Sequence, residues 1–188
     1  MDKIFITAEQ LLRDSFRLAA QIYMSGFRPD FIAGIWRGGT PVGTVVQEYF
    51  EYRGVTTDHI AIKTQSYTGI DSQSDTVRVL GLEYLVDSLN TSDSLLIVDD
   101  VFDSGRSVHA VLSQLEIRMR RNMPSTVRIA CPWYKPTRNR TPLHPDYFLH
   151  ETDAWLVFPH ELCGVPHNEL VANKRDLTGL WDELDGGK

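Results

Sequence analysis

Apolar residues at Leu11, Leu12, Phe16, Leu18, Ala19, Ile22 and Tyr23 follow the period of an amphipathic helix. Thr7-Ala-Glu-Gln10 ahead of them has the form of a capping box, and Gly26 and Pro29 end the segment. Phe31 to Trp36 is a continuous apolar run of strand length, and Arg37-Gly38-Gly39 reads as a loop. Thr40-Pro41 suits an N-cap and first-turn proline, which predicts a helix over about 41–52. His59 to Lys63 and Thr76 to Leu80 read as strands, and the polar stretch 64–76 between them as a mobile loop or open hairpin tip. A weak helix is expected over 82–89. Asn90-Thr-Ser-Asp93 then turns the chain into the strand Ser94 to Val98. A helix over 106–121 ends in Arg118, Arg120 and Arg121, which suit its C-terminal dipole. Further strands are expected at Ser125 to Trp133, Tyr147 to Leu149 and Trp155 to Phe158.

Strands alternating with helices predict an α/β fold: a mostly parallel central sheet with helices on both faces. No repeat, low-complexity tract or linker divides the chain, so residues 1–165 are expected to form one domain. The stretch 166–188 is a polar tail with Leu170, Leu177, Leu180 and Trp181 as anchors, and its role is open.

With 188 residues the chain is long enough for a full core. Its formal net charge of −6 argues against non-specific nucleic-acid binding, which needs a basic face. No apolar run approaches the roughly 20 residues of a membrane helix. The N-terminus lacks the pattern of a secretory signal. Cys131 and Cys163 show no metal-ligand spacing, and a reduced, cytoplasmic protein is expected. The six histidines show none either, and His109 is expected to be structural.

The stretch LLIVDDVFDSGRSVHAVL, residues 95–112, poses the chemical question. A buried strand ends on Asp99-Asp100, at the edge where parallel sheets bind ligands. Ser104, Gly105, Arg106 and Ser107 lie at the turn into a helix, where free N–H groups and hydroxyls suit a phosphate. Carboxylates instead accept hydrogen bonds from a vicinal diol or help hold Mg²⁺. A ribose 5-phosphate satisfies both demands. The plainer alternative is an acidic strand end beside an ordinary glycine turn.

The run of apolar strand, two acids, two residues and Asp-Ser-Gly-Arg-Ser resembles the phosphoribosyl pyrophosphate (PRPP) motif of type I phosphoribosyltransferases, with Ser at both usual Thr positions. The resemblance implies that Asp99 and Asp100 hold the ribose hydroxyls and, partly through water, Mg²⁺. It implies that Asp103, Ser104, Gly105, Arg106 and Ser107 cradle the 5-phosphate, and that Asp103 handles the proton of the attacking base. Trp36-Arg37-Gly38-Gly39 resembles the family's pyrophosphate loop, which often holds a non-proline cis peptide; Arg37 and Gly38 are the binding residues it implies. Residues 64–76, with Ser66-Tyr67, match the family's flexible active-site loop.

Within the family the 6-oxopurine members are the best match. Lys135 corresponds to their lysine at the end of a strand, which donates to the base O6. Trp155-Leu156-Val-Phe-Pro-His-Glu161 resembles their base-binding segment, with Trp155 stacking on the purine and the carbonyls around 156–158 reading its 2-position. Glu161 is either a further aid to Mg²⁺ or a surface acid. Glu151 and Asp153 have no clear role. The implied architecture adds a small base-binding hood from the N-terminal segment and about 134–165. The implied partners are PRPP, a purine base and further copies of the chain in a homodimer or higher homo-oligomer, without nucleic acid or membrane. The alternatives are a phosphoribosyltransferase for another base, such as a pyrimidine, and a non-catalytic regulator that binds PRPP or a nucleotide.

Overall fold

The computed structural model describes residues 3–67, 76–177 and 179–184. Two compact units make up the chain, residues 14–153 and residues 1–13 with 154–188. The boundary falls inside helix α1, Ala8–Met24.

The larger unit holds a 7-stranded sheet. Its strands are β2 (Phe31–Trp36), β3 (Asp58–Tyr67), β4 (Thr76–Leu80), β5 (Ser94–Val98), β6 (Val101–Phe102), β7 (Thr126–Tyr134) and β8 (Tyr147–Glu151). The order runs β4-β3-β2-β5-β7, with β8 on the far side of β7 and β6 continuing the line of β5. Every pairing is parallel except β3 with β4.

Alternation along the strands divides the core. Ala33, Ile35, Leu95, Ile97, Ile129 and Cys131 pack with Leu85 and Leu89 of α3 (Glu83–Ser88) and its end, and with Val108, Val111, Leu115 and Met119 of α4 (Arg106–Met119). The intervening residues Ile32, Leu96, Val98 and Ala130 are also buried. Helix α2 (Gly39–Tyr52), with buried Val42, Val46 and Phe50, packs on β2 and β5. Leu18, Ala19 and Ile22 of α1 are fully buried. The Cys131 thiol is pushed well up by burial, in keeping with a structural cysteine.

Several local expectations change. Helix α2 starts at Gly39, so Thr40 does not cap it. Its hydroxyl donates instead to the Arg37 carbonyl at 2.7 Å, and Pro41 sits within the first turn. The polar segment after Lys63 continues as strand to Tyr67, because Thr64 to Tyr67 pair with Val79 to Thr76. Positions 68–75 of the expected loop lie outside the described residues.

In the smaller unit, β1 (Lys3–Phe5) pairs in parallel with β9 (Trp155–Val157). Gln10 N–H donates to the Thr7 hydroxyl at 3.0 Å, as the capping box predicts. The stretch after 165 contributes α5 (His167–Asn173), with buried Leu170. The Lys3 ammonium pairs with Glu169 at 2.6 Å. Buried Lys174 donates to the carbonyls of Phe158 at 2.6 Å and Pro159 at 3.1 Å. Lys174→Met removes the ammonium that makes both hydrogen bonds at a buried site. It should cost about 1–3 kcal/mol, read as a lower denaturation midpoint in urea with an unchanged slope.

Candidate active site

The strand β5 stops at Val98, and β6 resumes at Val101 in the same register. Val98 pairs with Ala130 and Val101 with Trp133. Asp99 and Asp100 occupy the break. Their side chains take the next backbone donors: Asp100 N–H donates to Asp99 Oδ1 at 3.0 Å, and Val101 N–H to Asp100 Oδ1 at 2.8 Å. This local competition with the ladder is what Asp offers at a strand end. Asp100 is buried and Asp99 half-buried. Burial, and then the charge of Asp100, raise Asp99 well above the ordinary carboxylate range. An oxygen-seeking cation would relieve that repulsion, and a diol can donate hydrogen bonds to the same oxygens.

Gly38 and Gly39, both buried, lie directly against this break. A Cβ on Gly38 would overlap the Asp100 carboxylate. One on Gly39 would lie 2.9 Å from Asp99 Cα and closer still to the Val98 carbonyl oxygen. The two glycines are therefore required by contact rather than by a turn conformation. The Trp36–Arg37 peptide preceding them is cis, and Trp36 and Arg37 are exposed.

The loop from Asp103 leads into α4. Gly105 is in the left-handed region at φ 75°, and a side chain there would strike the Phe102 ring and the Thr141 hydroxyl. Arg140 N–H donates to the Ser104 carbonyl at 3.0 Å. Asp99, Asp103, Ser104, Gly105 and Ser107 line a cleft of about 70 Å³ at this helix start. A second cavity, of about 150 Å³ and lined by Gly34, Thr40, Gly43, Thr44, Gln47 and His59 among others, includes none of the candidate binding residues.

Lys135 follows the end of β7, and its N–H donates to the Phe102 carbonyl at 2.9 Å. Its buried ammonium lies 3.2 Å from Asp103 Oδ2, while Arg138 Nε donates to Asp103 Oδ1 at 2.8 Å. The structure thus brings Asp99, Asp100, the 103–107 loop, Gly38 and Lys135 together within the larger unit. Arg138 was not anticipated. Its only sequence signal is a cation three residues after Lys135, which a 3-10 turn over Pro136–Arg138 turns into a shared partner.

Trp155 and Leu156 belong to the smaller unit. Trp155 is 48% exposed, and Leu156 is buried. Phe158 N–H donates to Glu161 Oε2 at 3.1 Å, which gives Glu161 a structural partner. Among the described residues no group of three or more His, Cys, Asp or Glu side chains is arranged to hold a metal ion by itself. No helix among them is long and apolar enough to cross a membrane.

A parallel sheet with an acid pair and an anion-type helix start at its carboxyl edge defines the class. The phosphoribosyl transferase domain family model matches residues 6–165, and the chain belongs to that family. The family implies PRPP and a base as substrates. The fold is similar to a purine phosphoribosyltransferase from Pyrococcus horikoshii, at 25% identity and TM-score 0.70, covering 89% of this chain and 99% of that one. It is also similar to a hypothetical protein from Neisseria gonorrhoeae with bound ppGpp (18% identity, TM-score 0.71, 93% and 97% covered). A xanthine-guanine-hypoxanthine phosphoribosyltransferase from Helicobacter pylori shares the fold as well (20%, 0.66, 84% and 92%). No curated protein sequence matches the chain.

The contact between the two loops makes a direct prediction. Gly39→Ala forces a methyl group against the backbone of Val98 and Asp99 and should cost about 3 kcal/mol or fold poorly. Gly38→Ala meets a side chain that can move, so chemical denaturation should find it closer to the unsubstituted protein.

Proposed function

We propose that the protein is a 6-oxopurine phosphoribosyltransferase, converting the base and PRPP to the nucleoside 5′-monophosphate and pyrophosphate. The observation that carries this is the buried Lys135 ammonium beside the Asp103 carboxylate at the mouth of the anion cradle. An ammonium only donates, so it favours a 6-oxo group and disfavours a 6-amino group.

In this assignment the 5-phosphate lies on the N–H groups and hydroxyls of residues 104–107. Asp99 and Asp100 accept the ribose hydroxyls. The pyrophosphate faces Arg37 and the amide groups around Gly38. Purine N9 attacks C1 as the bond from C1 to pyrophosphate breaks, and Asp103 takes the proton released from the imidazole ring. In the smaller unit, Trp155 has an exposed aromatic face.

Two adjacent carboxylates fit Mg²⁺, which is held through few protein ligands and keeps water and substrate oxygens. Asp99 and Asp100 would hold it, partly through water. When bound, it would offset the charge that builds on the leaving pyrophosphate.

Asp103→Asn should retain PRPP binding while lowering kcat by roughly 10²-fold or more. Lys135→Ala should weaken hypoxanthine use far more than PRPP affinity. Steady-state kinetics paired with PRPP titration read both; equal losses for the two ligands in Lys135→Ala would contradict the assignment.

A further inference from the structure

The segment 135–143 straps the anion cradle. Asn139 Nδ2 donates to the Leu143 carbonyl at 2.6 Å, and Asn139 Oδ1 accepts from Thr141 N–H at 2.9 Å and from its hydroxyl at 3.0 Å. Thr141 in turn lies against Gly105, and Arg140 N–H holds the Ser104 carbonyl. The strap begins with the 3-10 turn, closed by Arg138 N–H donating to the Lys135 carbonyl at 3.2 Å.

That turn sets two cations on one carboxylate, each on its own oxygen. Lys135 takes Asp103 Oδ2 and Arg138 takes Oδ1. The two partners differ in environment: the Lys135 side chain is 7% exposed and that of Arg138 is 44% exposed. An ion pair this open to water adds little to stability.

We infer that Arg138 is a positioning residue for the transfer step: it keeps Asp103 in place when Lys135 is drawn from Asp103 to the base. This rests on the purine assignment above. Before the base arrives, Lys135 and Asp103 satisfy each other. A 6-oxo group that recruits the Lys135 ammonium competes for the partner of Oδ2, freeing that oxygen for the imidazole edge of the purine. Among the described residues the carboxylate then has one remaining anchor, the bond from Arg138 Nε to Oδ1. Without it, Asp103 can turn with the departing lysine and leave its station. The loss therefore falls on turnover, after PRPP is already bound by other residues.

The test compares Arg138→Met and Arg138→Lys in the full chain, alone and combined with Asp103→Asn. Arg138→Met should lower kcat with hypoxanthine by about 10- to 100-fold, the scale of a misplaced catalytic group. PRPP affinity and the thermal midpoint should stay close to those of the unsubstituted protein. Arg138→Lys should recover part of the loss, and Arg138→Met should cost little more once Asp103 is Asn. Full turnover in Arg138→Met overturns the inference, as does a matching loss of PRPP affinity, a failure of lysine to rescue, or an undiminished cost in the Asp103→Asn background. If the unsubstituted protein turns over no purine, the purine assignment fails and takes this inference with it. Normal turnover by the unsubstituted protein beside an unaffected Arg138→Met removes the inference alone.

Discussion

The close approach of Gly38 and Gly39 to Asp99 and Asp100 is the constraint on which the site depends. Neighbouring strands β2 and β5 end side by side, so the loops that follow them must share one small volume. Any side chain at Gly38 would occupy the place of the Asp100 carboxylate, and any at Gly39 would meet the backbone of Val98 and Asp99. Bare backbone on one side and carboxylates on the other is the packing solution. It is also a chemical one. In the proposed assignment the acids face a diol or a cation, while the neighbouring loop and the start of α4 offer donors to anions. Opposite electrostatic demands are met in one small volume because the loop after β2 and the start of α4 both close on the acids between β5 and β6.

A second layer of order comes from the strap after β7. Lys135 continues the ladder by donating to the Phe102 carbonyl, which carries its ammonium to Asp103. The residues beyond it bind the Ser104 carbonyl and pack on Gly105. In the proposed assignment, base-side and phosphate-side residues are thus coupled through covalently short segments. In the smaller unit a different buried lysine also ties loops together. Lys174, from the stretch beyond the family-matched residues, holds the carbonyls of Phe158 and Pro159.

Features written in local sequence were legible. The apolar run into Asp99-Asp100 and the Asp-Ser-Gly-Arg-Ser turn state their own geometry, because strand burial, carboxylate placement and a left-handed glycine all act within a dozen residues. The central parallel sheet followed from the alternation of strands and helices. Features set by distant partners were not legible. The three-residue strand β1 exists through pairing with Trp155–Val157, and no periodicity can show so short an element. Thr40 has the sequence of a cap, but the Arg37 carbonyl claims its hydroxyl. Arg138 carries no motif, and its contact with Asp103 depends on a turn that folds it back. The role of 166–188 is open in sequence because a lone Lys174 gives no hint of the carbonyls it meets.

In the proposed assignment Lys135 and Asp103 stand at the base end of a PRPP site and select a 6-oxopurine. The most direct test is pyrophosphate release from PRPP with Mg²⁺ and, in turn, hypoxanthine, guanine, xanthine and adenine. A 6-oxopurine site should give release with at least one of the three 6-oxopurines and little or none with adenine. Release with adenine alone, or with no base, would contradict the assignment.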